Sequence, residues 1–328
     1  MFYFLLGGVS FALSQIAILI IKLFFPTILN NGFAVSILDY ALSFIVIYCI
    51  STPIAFLAIK PLPKVKPIKE KMKFTHLLGA FCICFTCTDI GSSISSTLIS
   101  IAEAITGKTL QNPVEATLTV GNFWLNAFMA AIFFPILEEL LFRKLLCGRL
   151  LPLGEKQAII ISAAVFGLIH GNLFQFAYAF LFGLVLGYIY VKTGKIIYTI
   201  VFHCIINLYG GVFAQFVINK MPFDKLEEIL NELTSNTELL NNPEALWALI
   251  APYASGLALY MIYVYVMMGL AMAGAIVFLV ALIKKKITFE QGILQTPKEN
   301  RFSNFFLTGG VAAAIGFIVV DFLYSILQ

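Results

Sequence analysis

The chain has 328 residues, of which 60% are hydrophobic and only 12% charged, against about 45–50% and about 25% in an ordinary soluble domain. With a mean hydropathy of +0.96, this excludes a soluble cytosolic enzyme, a disordered chain, a collagen-like fibre and a disulfide scaffold. The net charge of +4 is no nucleic-acid footprint either, because the basic residues gather in loops. The expected fold is all-α: a polytopic transmembrane helical bundle forming one domain over residues 1–328.

A helix needs roughly 20 predominantly apolar residues to cross a ~30 Å hydrocarbon core. On that measure spans fall near Phe2–Phe25, Ala34–Ile59, Leu77–Ile101 and Asn122–Cys147. Further spans fall near Gln157–Gly171, Leu173–Val191, Ile196–Ile218, Pro252–Ile283 and Phe305–Leu327, making eight full spans and one short one, Gln157–Gly171. The first lacks a basic leader and a small-residue cleavage site, so it reads as a retained span. Gly183-x-x-x-Gly187 reads as a helix-packing motif. The six cysteines, Cys49, Cys82, Cys84, Cys87, Cys147 and Cys204, lie in or beside apolar stretches and read as small buried hydrophobes rather than metal ligands or disulfide partners.

The one long extramembrane stretch, Asn219–Leu246, carries six acids against two lysines. Phe223, Leu226, Ile229, Leu230 and Leu233 recur there at helical spacing, giving either a short amphipathic surface helix or a solvated connector. Seventeen of the 21 basic residues fall in one alternate set of loops and span ends, including Lys60–Lys73, Arg143–Lys156, Lys192, Lys195 and Lys284–Lys286. The other set holds Lys22, Lys108, Lys220 and Lys225. Because cytosolic loops carry the excess of Lys and Arg, this split predicts a plasma-membrane protein with a cytosolic N-terminus, an external 219–246 stretch and an external C-terminus.

Ionisable side chains within spans are expensive and are functional candidates. Apart from Asp39, near a span end, they are Asp89, Glu138, Glu139, Arg143, His170, His203 and Asp321, five of them between residues 138 and 203. Asp89 and Asp321 have no evident basic partner and read as candidates for buried hydrogen bonding. Glu139 and Arg143, four apart, share a helix face and can pair. Glu138, about 100° round the helix, is expected to point elsewhere and stay free. Counted at about 1.5 Å per residue, Glu138 lies roughly 13 Å in from Cys147, His203 roughly 10 Å in from Ile196, and His170 roughly 20 Å in from Gln157. His203 and Asn207 share a helix face, and Pro135 is expected to kink the helix just before the glutamates. No HExxH occurs, but Glu138, His170 and His203 could together ligate zinc.

Glu138-Glu139-x-x-x-Arg143, Phe166-x-x-x-His170 and His203-x-x-x-Asn207 resemble, in order, the three motifs of the CPBP (CAAX protease and bacteriocin-processing, or Abi) family, which includes the type II prenyl endopeptidases. The resemblance covers roughly residues 122–210, the expected catalytic core. It implies an intramembrane endopeptidase open to the cytosol, acting on a membrane-associated peptide or protein. By carry-over, Glu138 activates water with His170, His203 and Asn207 stabilise the oxyanion, and Glu139 and Arg143 hold the motif helix in place. A metal-free glutamate mechanism is implied over zinc. Peptide hydrolysis does need a base for the water and donors for the oxyanion. Two other readings stand beside it: a non-catalytic peptide-binding or bacteriocin-immunity protein, and a proton-coupled transporter, for which no second copy of the Glu-Glu motif occurs.

Overall fold

The structure, a computed structural model, describes residues 1–294 apart from 64, 66, 68, 69, 120, 222 and 237–240. Among these residues it is built of helices, with a single isolated bridge between Gly154 and Gln291 in place of any sheet. Seven helices are long and apolar enough to cross a membrane. They are α1 (Phe4–Phe24), α2 (Gly32–Ile59), α3 (Phe74–Thr106), α5 (Phe123–Leu153), α7 (Leu173–Thr193), α8 (Ile196–Ile218) and α10 (Pro243–Ile283). Three shorter helices intervene: α4 (Pro113–Thr119), α6 (Glu155–Leu168) and α9 (Phe223–Ser235). The chain is an all-α polytopic bundle.

α6 is the short span expected from sequence, and α9 is a helix on the acidic stretch. The ninth expected span, Phe305–Leu327, with Asp321 and the C-terminus, lies outside the described residues. α4 was not expected; it is too short to show an apolar period. α10 starts earlier than its apolar run, because Asn242 caps it through the Ala245 amide and Pro243 begins it, before a tighter turn at Ala251–Tyr253.

α7 is central, packing on α3 and α6, while α10 packs on α3. The glycines of the 183–187 motif let α6 come close. A Cβ on Gly183 would sit 3.1 Å from Ala163, and one on Gly187 would sit 3.2 Å from Ile159. Gly274 of α10 similarly admits the Cys82 carbonyl of α3, and the Thr86 hydroxyl donates to the Ala271 carbonyl across 2.6 Å. Such small-residue contacts and interhelical hydrogen bonds supply in lipid what the hydrophobic effect supplies in water. Cys82, Cys84 and Cys147 are buried as expected, but Cys87 and Cys204 are only half-buried and Cys49 is exposed, because each of these faces outward from its helix.

The basic loops meet at one end of the bundle. Arg149 donates to the Lys60 carbonyl (3.1 Å), the Glu70 amide donates to the Thr193 carbonyl (3.0 Å), and Lys192 pairs with Glu155. The segment after α10 joins them, the Glu155 amide donating to the Glu290 carbonyl (3.1 Å) and the Leu294 amide to the Pro152 carbonyl (2.9 Å). Arg143, counted with this face from sequence, is instead fully buried within α5.

Candidate active site

The two glutamates lie between two widened stretches of α5. Residues Met129–Phe133 and Leu140–Cys147 follow an i→i+5 pattern, and Phe134–Glu139 between them is ordinary α-helix. Such widened turns recur where a helix must re-aim side chains. In the first, the Phe134 amide donates to the Met129 carbonyl. The next donor in that register would be residue 135, aimed at Ala130, and Pro135 has no N–H. The vacant Ala130 carbonyl is taken by Asn207, whose Nδ2 donates to it across 3.0 Å. The expected kink at Pro135 thus takes the form of a widened turn, stapled to α8.

Glu139 and Arg143 pair as their spacing predicts, Nε to Oε2 at 3.1 Å, with neither side chain exposed. Arg143 Nη1 donates to the Ser162 hydroxyl (3.2 Å), which donates to the Phe142 carbonyl (2.7 Å). Its Nη2 is buried without a hydrogen-bond partner, and the guanidinium lies 5.0 Å over the Phe166 ring. That cation–π contact is the compensation left to it.

The two carboxylates do not diverge as helix geometry suggested. His203, 2% exposed, lies between them. Its Nδ1 is 3.0 Å from Glu139 Oε1 and its Nε2 is 3.4 Å from Glu138 Oε2. A 100° divergence on one helix still lets a ring from a second helix reach both groups, one with each nitrogen. Glu138 is therefore partnered rather than free, though its side chain keeps 21% of its surface exposed. An ionised carboxylate only accepts, so Nδ1 donates its hydrogen to Glu139, and a hydrogen on Nε2 would be aimed at Glu138. Thr199, one turn before His203 and fully buried near Glu139, donates its hydroxyl to the Ile196 carbonyl (2.9 Å).

His170 stands apart from this row. Gly171, with φ of 62°, ends α6, and Asn172 caps α7 by accepting from the Gln175 amide (2.9 Å) and donating to the His170 carbonyl (2.7 Å). These two residues fix the corner on which His170 sits. Its Nδ1 donates to the Phe166 carbonyl at 2.8 Å. The Phe166 ring stands edge-on to both imidazoles, 5.3 Å from His170 and 5.5 Å from His203, and Phe182 packs on His203 from another side (5.3 Å). A cavity of about 410 Å³ is lined by His170 but not by Glu138, His203 or Asn207. The depths counted from sequence, with His203 and His170 bracketing Glu138, pointed instead to one shared cavity for Glu138, His170, His203 and Asn207, and gave no sign of this separation.

Phe166, Ser162 and Thr199 complete the cluster. Phe166 stood inside a motif, whereas Ser162 and Thr199 had no signal beyond being polar residues in apolar runs. Asp89 lies on the exposed side of α3, not in a buried hydrogen-bonding site, because the buried faces there are taken by Gly91 and Ser95. The zinc set does not fit. Both ring nitrogens of His203 face carboxylates, Phe166 separates it from His170, and among the described residues no three His, Cys, Asp or Glu side chains gather to hold a metal.

Residues 120–209, from the start of α5 to the middle of α8, match the family described as type II CAAX prenyl endopeptidase Rce1-like. Over that segment, under half of the chain, the sequence is similar to a CAAX-protease core. No curated protein and no solved structure matches it. With seven helices long and apolar enough to cross a bilayer, the chain is a multi-pass membrane protein whose 120–209 segment is similar to a prenyl-endopeptidase family. The matched segment contains every residue of the Arg143–Glu139–His203–Glu138 row, together with His170 and Asn207.

Proposed function

We propose that the chain is an endopeptidase that cleaves a membrane-associated peptide or protein with water activated by Glu138. The observation that supports this best is the row itself. Arg143 holds Glu139, Glu139 orients His203 through Nδ1, and Nε2 of that imidazole meets the partly exposed Glu138. A carboxylate that fixes the tautomer and direction of a working imidazole is the logic of hydrolytic triads. Glu138 takes a proton from water as its oxygen bonds to the scissile carbonyl carbon. The oxyanion so formed accepts a hydrogen bond from His203 Nε2–H, and collapse of the adduct returns the proton from Glu138 to the departing amine. His170, its Nδ1 committed to Phe166, offers Nε2 to the attacking water. Asn207 uses one amide hydrogen on Ala130, and its second is available to the oxyanion. The basic end is assigned to the cytosol.

The test is cleavage of a lipidated membrane peptide by wild type and Glu138→Gln in nanodiscs, with and without a chelator. Loss of a general base costs about 10²–10⁴-fold in rate. Wild-type turnover that resists chelator and vanishes with Glu138→Gln is the expected result. Chelator-sensitive turnover would overturn the metal-free reading. A wild type that binds peptide without cleaving it would make this a binding protein.

A further inference from the structure

The row of side chains around His203 draws on α5 and α8, but α2 also reaches Glu138. Residues Phe44–Ser51 of α2 follow the same i→i+5 pattern as the widened stretches of α5, and so do Leu208–Phe213 of α8. Such turns recur at functional sites. α2 bears two tyrosines eight residues apart, and both rings pack on Phe134, Tyr40 at 5.9 Å and Tyr48 at 6.2 Å. Their hydroxyls differ. Tyr40 donates to Asn126 Oδ1 across 2.9 Å. Phe44 then packs on Phe133 (5.8 Å), so α2 and α5 run the same way and Tyr48 comes level with the turn from Phe134 to Glu138. There it is close enough to feel the Glu138 charge. Among the described residues the Tyr48 hydroxyl has no hydrogen-bond partner, and its oxygen is not sealed from accessible space. Phe44 (6.2 Å) and Phe134 hold the ring, so packing alone aims the hydroxyl. Three other groups face Glu138. His203 Nε2 meets one carboxylate oxygen from α8, His170 feels the charge from the α6–α7 corner, and Tyr178 of α7 does so beside the Gln175 side chain. On α5 itself, Arg143 is taken up by Glu139.

We propose that Tyr48 is a further catalytic residue, donating through its hydroxyl to a water seated on Glu138. The proposal rests on the protease reading, in which that water is the nucleophile. A water has two hydrogens and two lone pairs. It gives one hydrogen to the Glu138 carboxylate and the other to His170 Nε2, and one lone pair accepts from Tyr48. The second lone pair is left for the scissile carbonyl carbon. As that C–O bond forms, the proton on the Glu138 side passes to the carboxylate, and the phenol keeps its own. An ordered water needs roughly two to four polar partners, and Tyr48 completes the set. A neutral donor also steadies the developing hydroxide without burying another charge. Because α2 lies outside residues 120–209, this contribution comes from a part of the chain that the family match does not cover.

The experiment reads Glu138 without requiring cleavage. Dicyclohexylcarbodiimide adds to the acid form of a carboxyl in an apolar setting, and rearrangement leaves an N-acylurea that mass spectrometry locates. A water donating to the carboxylate favours its ionised form, so losing that water exposes more of the acid. In nanodiscs at neutral pH, Tyr48→Phe should label at Glu138 about tenfold faster than the parent. Labelling of Asp89, on the exposed side of α3, is the internal control and should not change. Tyr178→Phe, which removes the neighbouring phenol, should label at the parent's rate. In a cleavage assay, Tyr48→Phe should lower kcat about tenfold with KM unchanged, the loss of an interaction made only as the reaction proceeds. Equal labelling of Tyr48→Phe and parent, acceleration by Tyr178→Phe instead, or acceleration at Asp89 as well overturns the proposal, whether or not the chain cleaves. An unchanged kcat does so too. Faster labelling of Glu138 alone, in a chain whose parent cleaves nothing, keeps the water between Tyr48 and Glu138 and overturns the protease reading instead.

Discussion

At the scale of single residues, the two adjacent glutamates face different demands. Glu138 keeps part of its surface and one partner, whereas Glu139 is wholly buried between Arg143 and His203. Glu138→Gln, an isostere, should lose cleavage and keep a thermal midpoint in detergent close to wild type. Glu139→Gln leaves Arg143 buried without its counter-ion, which costs about 3–5 kcal/mol, much of a domain's whole margin of about 5–15. Adding Arg143→Met removes the stranded charge, so the double variant should recover part of the lost midpoint. It should not recover activity, because His203 still lacks the carboxylate that orients it. Unfolding midpoints of the three proteins decide the matter. If Glu138→Gln were the unstable one and Glu139→Gln stable but inactive, the two roles would be reversed. The Glu139–Arg143 pair was legible from four-residue spacing alone. That His203 reaches both glutamates was not, because it depends on how α8 sits against α5, and spacing within one helix carries no such information.

At the scale of elements, the way α5 bends ties its shape to the site. Pro135 withholds the N–H that the Ala130 carbonyl would receive in the widened register, and Asn207 supplies the donor from α8. Replacing Asn207 by Leu leaves a part-buried carbonyl unpaired and should cost about 1–3 kcal/mol. Pro135→Ala restores a backbone donor, so the pair of changes should be less damaging than Asn207→Leu alone. Their non-additivity, read from denaturation in detergent as a double-mutant cycle, separates this staple from a simple loss of packing. Additive effects would show that Asn207 and Pro135 do not share the Ala130 carbonyl. The proline and the asparagine were each visible in the sequence, the first as a kink and the second as a neighbour of His203. Their connection was not, since it depends on the widened turn. The same limit explains α4. Seven residues are too few for an apolar period to emerge, so its place over Ala131 and Val212 came only from packing.

At the scale of the whole molecule, composition carried the fold, and charge predicts a sidedness that remains to be measured. Spans of twenty or more apolar residues are unmistakable in a chain with so few charges, and their ends shifted only where capping residues or glycines set the boundary. The basic loops at 60–73, 149–156 and 192–195 and the segment after α10 are joined by direct hydrogen bonds, so they share one end of the bundle. That arrangement yields a sharp expectation. Single cysteines placed at Lys73, Lys195 and Lys285 in a cysteine-depleted chain should react together with an impermeant maleimide, only after the cytosolic face is opened. A cysteine at Lys108, at the opposite end of α3, should react in intact cells. The positive-inside bias predicts that the first three are cytosolic. Reversal of both patterns would leave the bundle intact and turn it over, putting the basic end outside. A split among the first three positions is a heavier result, because no orientation can separate loops that bond to one another. It would count against the packing of α6 and α7 that holds His170 in place.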